Sequence, residues 1–182
     1  MHDPGKYVSE VRSGSRWLTK FRGGELAVPP MPTAQAVLLA GLGGVVAISL
    51  LAGLSAWLST PLVLGSFGAT CVLVFAYPDV PFSQPRNIIC GHVLSSLIGL
   101  AFLTVFGPHW WAAGLAAGAA IVAMMLTRIV HPPAGSNPVI VFLAQPGWGF
   151  LLYPTLLGAV LITLLAACYH NATREANYPK YW

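Results

Sequence analysis

The sequence predicts an all-α membrane protein built as an inverted repeat, each unit a long helix, a broken short helix and a second long helix. Three observations predict it. The 182 residues are 56% hydrophobic and only 8% charged, against about a quarter charged in a soluble domain, and the apolar residues fall in unbroken runs. The run His131-Pro132-Pro133-Ala134-Gly135-Ser136-Asn137-Pro138 interrupts such a stretch, where proline's missing N–H and its ring clash stop a helix. Finally, Gly68-Ala69-Thr70-Cys71-Val72-Leu73-Val74-Phe75 aligns with Gly135-Ser136-Asn137-Pro138-Val139-Ile140-Val141-Phe142 at an offset of 67 residues. The same offset aligns Gly91-His92-Val93-Leu94 with Gly158-Ala159-Val160-Leu161.

The elements follow in order. Residues 1–33 form a polar, basic arm in which Trp17, Leu18 and Phe21 are spaced for one side of a short interfacial helix. A disordered tail is the other reading of that stretch. Ala34–Leu58 carries no charge and is long enough for a hydrocarbon core of about 30 Å. Residues 61–77 are too few for a single crossing helix. An extended lead-in over 61–66 followed by a half-helix over 68–77 reaches roughly 35 Å and crosses. Residues 78–87 read as a polar loop and 88–106 as a crossing interrupted by Gly91-His92. After the turn at 107–109, residues 110–130 cross again, with Trp110 and Trp111 at the interface. The breaker then leads into a short apolar piece at 138–144, and residues 150–169 form the last crossing. The expected divisions are the arm 1–33, the first repeat 34–106, the second repeat 107–170 and the tail 171–182.

Six crossings put every Lys, Arg, Asp and Glu on one side of the membrane, while the turns near residues 59–60, 107–109 and 145–149 carry no Lys or Arg. The positive-inside rule then places both termini in the cytoplasm, with a bacterial inner (plasma) membrane as the expected location. Three crossings per unit is an odd number, so the second copy enters inverted. Transporters built this way bind solute near the midplane at discontinuous helices.

Two half-helices would then start near mid-membrane, at Gly68 and Gly135. Helix N-termini carry unpaired N–H groups and about half a positive charge, and two converging ends suit a small anion. The expected binding residues are Ser66, Gly68, Ala69, Thr70, His92, Gly135, Ser136 and Asn137. Ordinary helix capping is the alternative role for the hydroxyl and amide side chains. His131, Pro132 and Pro133, with Arg86 and Asn87, are expected along the pathway, His131 near the cytoplasmic mouth. His109 and His170 read as interfacial. Cys71, Cys90 and Cys168 lie in apolar segments without ligand spacing, so neither disulfide nor metal is expected. There is no catalytic constellation, no cofactor motif and no basic-aromatic surface for nucleic acid. The expected partners are a small anion and the lipid bilayer, with a homo-oligomer allowed.

Three ordered motifs add a resemblance. His131-Pro132-Pro133-Ala134-Gly135, Ser66-Phe67-Gly68-Ala69-Thr70 and Gln84-Pro85-Arg86-Asn87 followed by Gly91-His92 resemble the HPP family of small integral membrane proteins, over about residues 30–170. That resemblance implies four membrane-spanning helices, here matched to the four long crossings, and it implies nitrite transport as seen in similar cyanobacterial and plastid members. Ser136 stands where the family motif commonly continues with Ala. A transporter or channel for a small monovalent anion, nitrite first, is therefore the leading expectation. A pore for a neutral solute such as water or ammonia, and a non-transporting scaffold, are the alternatives.

Overall fold

A computed structural model describes Phe21 and residues 27–182. The chain separates into two units, Met1–Pro32 and Thr33–Trp182, and the second carries the helices. The expected interfacial placement of Trp17 and Leu18 lies outside the described residues.

Six α-helices make up the second unit, and the described residues contain no strand. Helix α1 (Ala34–Leu58) has 25 residues and starts where Thr33 accepts a hydrogen bond from the Ala36 amide. It ends at Ser59, whose left-handed backbone (φ 50°) turns the chain toward Pro61. An extended lead-in follows, and α2 (Gly65–Cys71) continues as a wider π-turn over Val72–Ala76. Tyr77 leaves the helical region because Pro78 follows it. Helix α3 (Pro85–Phe106) has 22 residues, with proline placed at its first position, where a missing N–H is harmless. Gly107, at φ +75°, ends it.

Helix α4 (Trp110–Leu126) has 17 residues, or about 25 Å. It stops short of the expected Val130, because Arg128 adopts a left-handed conformation (φ 57°) and the chain runs extended toward the prolines. The breaker forms a 3-10 segment, Pro132–Ser136, and α5 (Asn137–Ala144) starts from it. Helix α6 (Leu157–Thr173) is preceded by 3-10 and π segments, Trp148–Leu151 and Leu152–Leu156. Three helical stretches are long and apolar enough to cross a membrane, namely α1, α3 and Trp148–Thr173. Gly91-His92 does not interrupt α3, which runs continuously through both residues.

α3 is the central helix, packed against α4, α5, α6 and the Pro132–Ser136 segment. The outer helices α1 and α4 each turn a narrow stripe inward, Gly43, Ala47 and Leu51 on one and Ala112, Ala116, Ala120 and Met124 on the other. Their remaining faces show large apolar side chains such as Leu38, Val45, Leu115 and Val122 to the outside, as bilayer-facing helices do.

Small residues set the close contacts. A methyl placed on Gly91 would lie 2.9 Å from His131 Cβ and 3.2 Å from the Ile129 carbonyl oxygen, with Ala134 next. One placed on Gly158 would run into the Phe67 ring and lie 2.9 Å from the Leu62 carbonyl oxygen. Gly91 and Gly158, Ala134 and Phe67, and Ile129 and Leu62 are each 67 residues apart. The interval found in the sequence therefore recurs in the packing.

At one end of the bundle the loop after α2 meets the C-terminal tail. Tyr178 is buried and donates to the Ser83 carbonyl, and the Lys180 amide donates to Gln84 Oε1. Gln84 in turn donates to the Pro78 and Val80 carbonyls. Asp79 pairs with Arg174 and Lys180. His170, expected at the interface, is buried and bonds the Val74 carbonyl, while Ser83 bonds the Leu73 carbonyl. His170 thus reaches the Val74 carbonyl within the π-turn, and Ser83 adds a second donor to the Leu73 carbonyl, which already accepts from the Tyr77 amide. The opposite end is apolar: Leu64, Gly65, Ala144, Gly147, Phe150 and Tyr153 are among the residues lining a cavity of about 470 Å³.

Candidate functional site

The centre of the molecule is polar. His92, Ser95, Ser96 and Gly99 follow one another on α3 at helical spacing of three and four, so all four share one face, and all four are buried. The breaker faces them. Gly99 carries no side chain where a methyl would lie 2.9 Å from Pro138 Cα, and this lets α5 start beside α3. The buried half of α2 supplies Ser66, Phe67 and Thr70 to the same region.

Four side chains that are fully buried link up there: Thr70, His92, His131 and Asn137, each with 0% exposure. Thr70 Oγ1 lies 2.9 Å from His92 Nε2 and 2.9 Å from His131 Nε2. Asn137 Nδ2 lies 3.0 Å from His92 Nδ1, 3.2 Å from the His92 carbonyl and 2.9 Å from Ser96 Oγ. His131 Nδ1 lies 2.6 Å from the Phe82 carbonyl. The two imidazole rings meet edge-on with centroids 4.9 Å apart, and Phe67 packs edge-on against His92.

The partners determine where the hydrogens sit. A carbonyl only accepts, so His131 carries its hydrogen on Nδ1, facing Phe82, and its Nε2 is an acceptor. The His92 carbonyl likewise requires the amide nitrogen of Asn137 to face it. His92 Nδ1 therefore accepts from Asn137, and its hydrogen is on Nε2, donated to Thr70. The single Thr70 hydrogen has two acceptors in reach, His131 Nε2 and the Ser66 carbonyl at 3.1 Å. His131 Nε2 has no other donor, and it takes that hydrogen. The result is a directed chain, Asn137 to His92 to Thr70 to His131 to the Phe82 carbonyl.

Side branches brace it. Ser95 donates to the Ala134 carbonyl at 2.6 Å, and Ser96 shares a hydrogen bond with Thr155 at 3.2 Å. Two buried polar atoms beside the chain have no partner, Asn137 Oδ1 and Ser66 Oγ. Among the described residues no group of three or more His, Cys, Asp or Glu could hold a metal ion.

Of the expected binding residues, the structure brings Ser66, Thr70, His92 and Asn137 together. Gly68 and Ala69 are exposed on the outer face of α2, where Gly68 lines an apolar groove with Gly41 and Gly44 of α1. Gly135 is half-buried with open space beside it, and Ser136 is exposed and bonds the Pro133 carbonyl. The half-helices start at Gly65 and Asn137 instead of Gly68 and Gly135. The expected picture of bare amide ends facing an open spot is corrected as well: the His92 ring fills the space between Thr70 and Asn137.

His131, expected at a mouth, is at the core beside His92. Pro133 is buried and Pro132 exposed. Arg86 is exposed and reaches the Thr127 carbonyl, while Asn87 is buried, donates to the Val130 carbonyl and accepts from the Tyr181 hydroxyl. Sequence reasoning did not single out Ser95, Ser96, Thr155 or the Phe82 carbonyl.

Electrostatics concentrate at the polar end. Partial burial pushes the Asp79 carboxyl up, but hydrogen bonds and charge from Arg174 and Lys180 outweigh this and hold it below the usual 3.8. Burial pushes the Tyr178 phenol well above its ordinary range.

The motif residues of this centre also decide the kinship. The profile of the HPP transmembrane region matches residues 29–179. The chain belongs to the HPP family. Two transmembrane proteins of Dictyostelium discoideum resemble this HPP protein. One is 32% identical over 168 residues, 85% of this chain and 58% of the relative; the other is 36% identical over 131 residues, 68% of this chain and 42% of the relative. The HPP chain thus spans about half the length of the curated relatives it matches. No solved structure matches it. It is an integral membrane protein by family and by its three long apolar helices.

Proposed function

We propose that the protein carries a small monovalent anion, nitrite first, across the membrane along a path through the His92 centre. The observation that supports this reading is the meeting of Thr70, His92, His131 and Asn137 at zero exposure inside a bilayer-facing helix bundle. Ionisable groups at membrane depth are costly and by default mark solute pathways. His92 comes from the long α3, and its partners Thr70, Asn137 and His131 come from two short elements and the turn before one of them, as in transporters with discontinuous helices. The recurrence of the 67-residue interval in the Gly91 and Gly158 contacts supports an inverted repeat. No Asp or Glu lies between residues 27 and 78, or between 80 and 174, so no carboxylate in the helices opposes an anion. Because side chains fill the centre, passage requires His92 or Asn137 to move.

Purified protein in liposomes tests the proposal by nitrite uptake. Uptake above empty vesicles, reduced by Asn137→Leu, supports it; uptake equal to empty vesicles overturns it. A second reading, a pore for a neutral solute such as ammonia or water, draws support from Asn137 Oδ1, a buried acceptor without a donor. Ammonia or water flux above empty vesicles, with nitrite uptake no greater than in empty vesicles, would favour that reading.

A further inference from the structure

We infer that the anion crosses together with a proton, and that the proton travels through His92, Thr70 and His131. The inference rests on the anion reading above and adds its coupling ion.

The physical basis is the supply of hydrogen-bond donors. An anion needs donors or positive charge in place of its lost water. In the His92 centre all the hydrogens but that of the Ser66 hydroxyl are already engaged: His131 Nδ1–H with Phe82, Thr70 O–H with His131, His92 Nε2–H with Thr70, and the Asn137 amide with His92 and Ser96. Ser95 is engaged with the Ala134 carbonyl. What the centre leaves open at Asn137 is an oxygen acceptor. As it stands, the site is neutral, and it offers an anion one free hydroxyl, that of Ser66, against one open acceptor. One added proton supplies both a charge and an N–H donor on an imidazole.

The chain can pass that proton on. A proton binds His92 Nδ1 as the Asn137 amide swings away, forming an N–H bond there. The His92 Nε2–H bond breaks and its proton moves to Thr70 Oγ1. The original Thr70 hydrogen moves to His131 Nε2, and the His131 Nδ1–H bond breaks, releasing a proton beside the Phe82 carbonyl. One proton enters and one leaves, no electrons change hands, and both rings end in the opposite tautomer. The vacated His131 Nδ1 then faces the Phe82 carbonyl at 2.6 Å, acceptor against acceptor, which drives the chain back to its starting polarity.

The surroundings keep this between the two rings. α2 presents Thr70 and Ser66, α3 presents Ser95 and Ser96, α5 presents Asn137, and the segment before α6 presents Thr155. From the loop after α2 comes the Phe82 carbonyl. The tail reaches the area through the Tyr181 hydroxyl on Asn87, and Arg86 and Arg128 are exposed. Among the described residues no Asp, Glu, Lys or Arg side chain hydrogen-bonds to either imidazole.

The test uses the full chain in liposomes, with nitrite as the probe, potassium and valinomycin clamping the potential at zero, and a trapped pH dye. Empty vesicles correct for leakage of nitrous acid. An inward proton gradient should drive nitrite uptake and acidify the lumen in step with it. Thr70→Val, which keeps the shape and removes the bridging hydroxyl, should lower proton-driven uptake at least about fivefold, and Thr70→Ser should restore it. Nitrite uptake that follows an imposed potential, ignores the pH gradient and leaves the lumen pH unchanged overturns the proton inference and leaves the anion reading standing. No nitrite uptake under either gradient overturns both. A monodisperse Thr70→Val protein with wild-type coupling overturns the relay; if that variant does not fold, the wild-type arms decide.

Discussion

Thr70 and Asn137 lie 67 residues apart, and they hold opposite nitrogens of one imidazole, Thr70 at His92 Nε2 and Asn137 at His92 Nδ1. His92 has no counterpart of its own kind, since the residue 67 positions on is Ala159. The centre is therefore asymmetric: partners on two short elements grip a ring that only α3 supplies.

Gly135 and Asn137 should respond differently to substitution. Gly135 has open space where a methyl would sit, whereas Asn137 joins His92 to Ser96. Gly135→Ala is expected to keep nitrite uptake near wild type, and Asn137→Leu to lower it severalfold. Equal losses in a liposome uptake assay would contradict the placement of these two residues.

Gly158 should tolerate no side chain. Even Ala at this position forces the Phe67 ring and the Leu62 backbone apart, an overpacking that costs about 1–3 kcal/mol. Gly114, with nothing near it, is the control. In detergent, Gly158→Ala should melt several degrees below wild type while Gly114→Ala matches it. Indistinguishable melting curves for the two variants would refute this packing.

Acid should loosen the polar end. The folded Asp79 carboxyl titrates below its unfolded value, so its ion pairs stabilise the fold above the ordinary aspartate range. That contribution fades as pH falls through the lower folded value. The side chain is half exposed, so the effect is small. As pH falls below the ordinary aspartate range, wild type should lose melting temperature in excess of Asp79→Asn, and parallel profiles would rule the linkage out.

The Tyr178 hydroxyl should matter more than a surface tyrosine. It donates to the Ser83 carbonyl at 2.6 Å from a buried position. Tyr178→Phe leaves that carbonyl without its donor, a loss of about 1–3 kcal/mol, readable as a lowered melting temperature. Tyr77→Phe, at an exposed position, should show no such change.

Much of this was legible from the chain. α1 begins and ends where its uncharged run does, because Thr33 caps it and Pro61 follows it. The extended lead-in before α2 and the break at His131 follow directly from proline chemistry. The end of α4 was harder to read, since nothing apolar distinguishes residues 127–130 until Arg128 turns left-handed. The meeting of His92 with His131 was out of reach, because proline-rich backbone carries no helical phase from which direction can be counted. Ser95 and Ser96 were within reach: with His92 and Gly99 they mark one face of α3, a small polar stripe on an otherwise greasy helix.

The seating of Phe67 on Gly158 and of Ala134 beside Gly91 bears on biogenesis. Each early segment rests on a residue made much later, or holds a place for one. The first three helices leave the ribosome with Phe67 unseated and with Gly91 facing empty space. A chain cut at the Gly107 turn should yield two fragments that are each insoluble alone and recover their shape only when made together in one membrane.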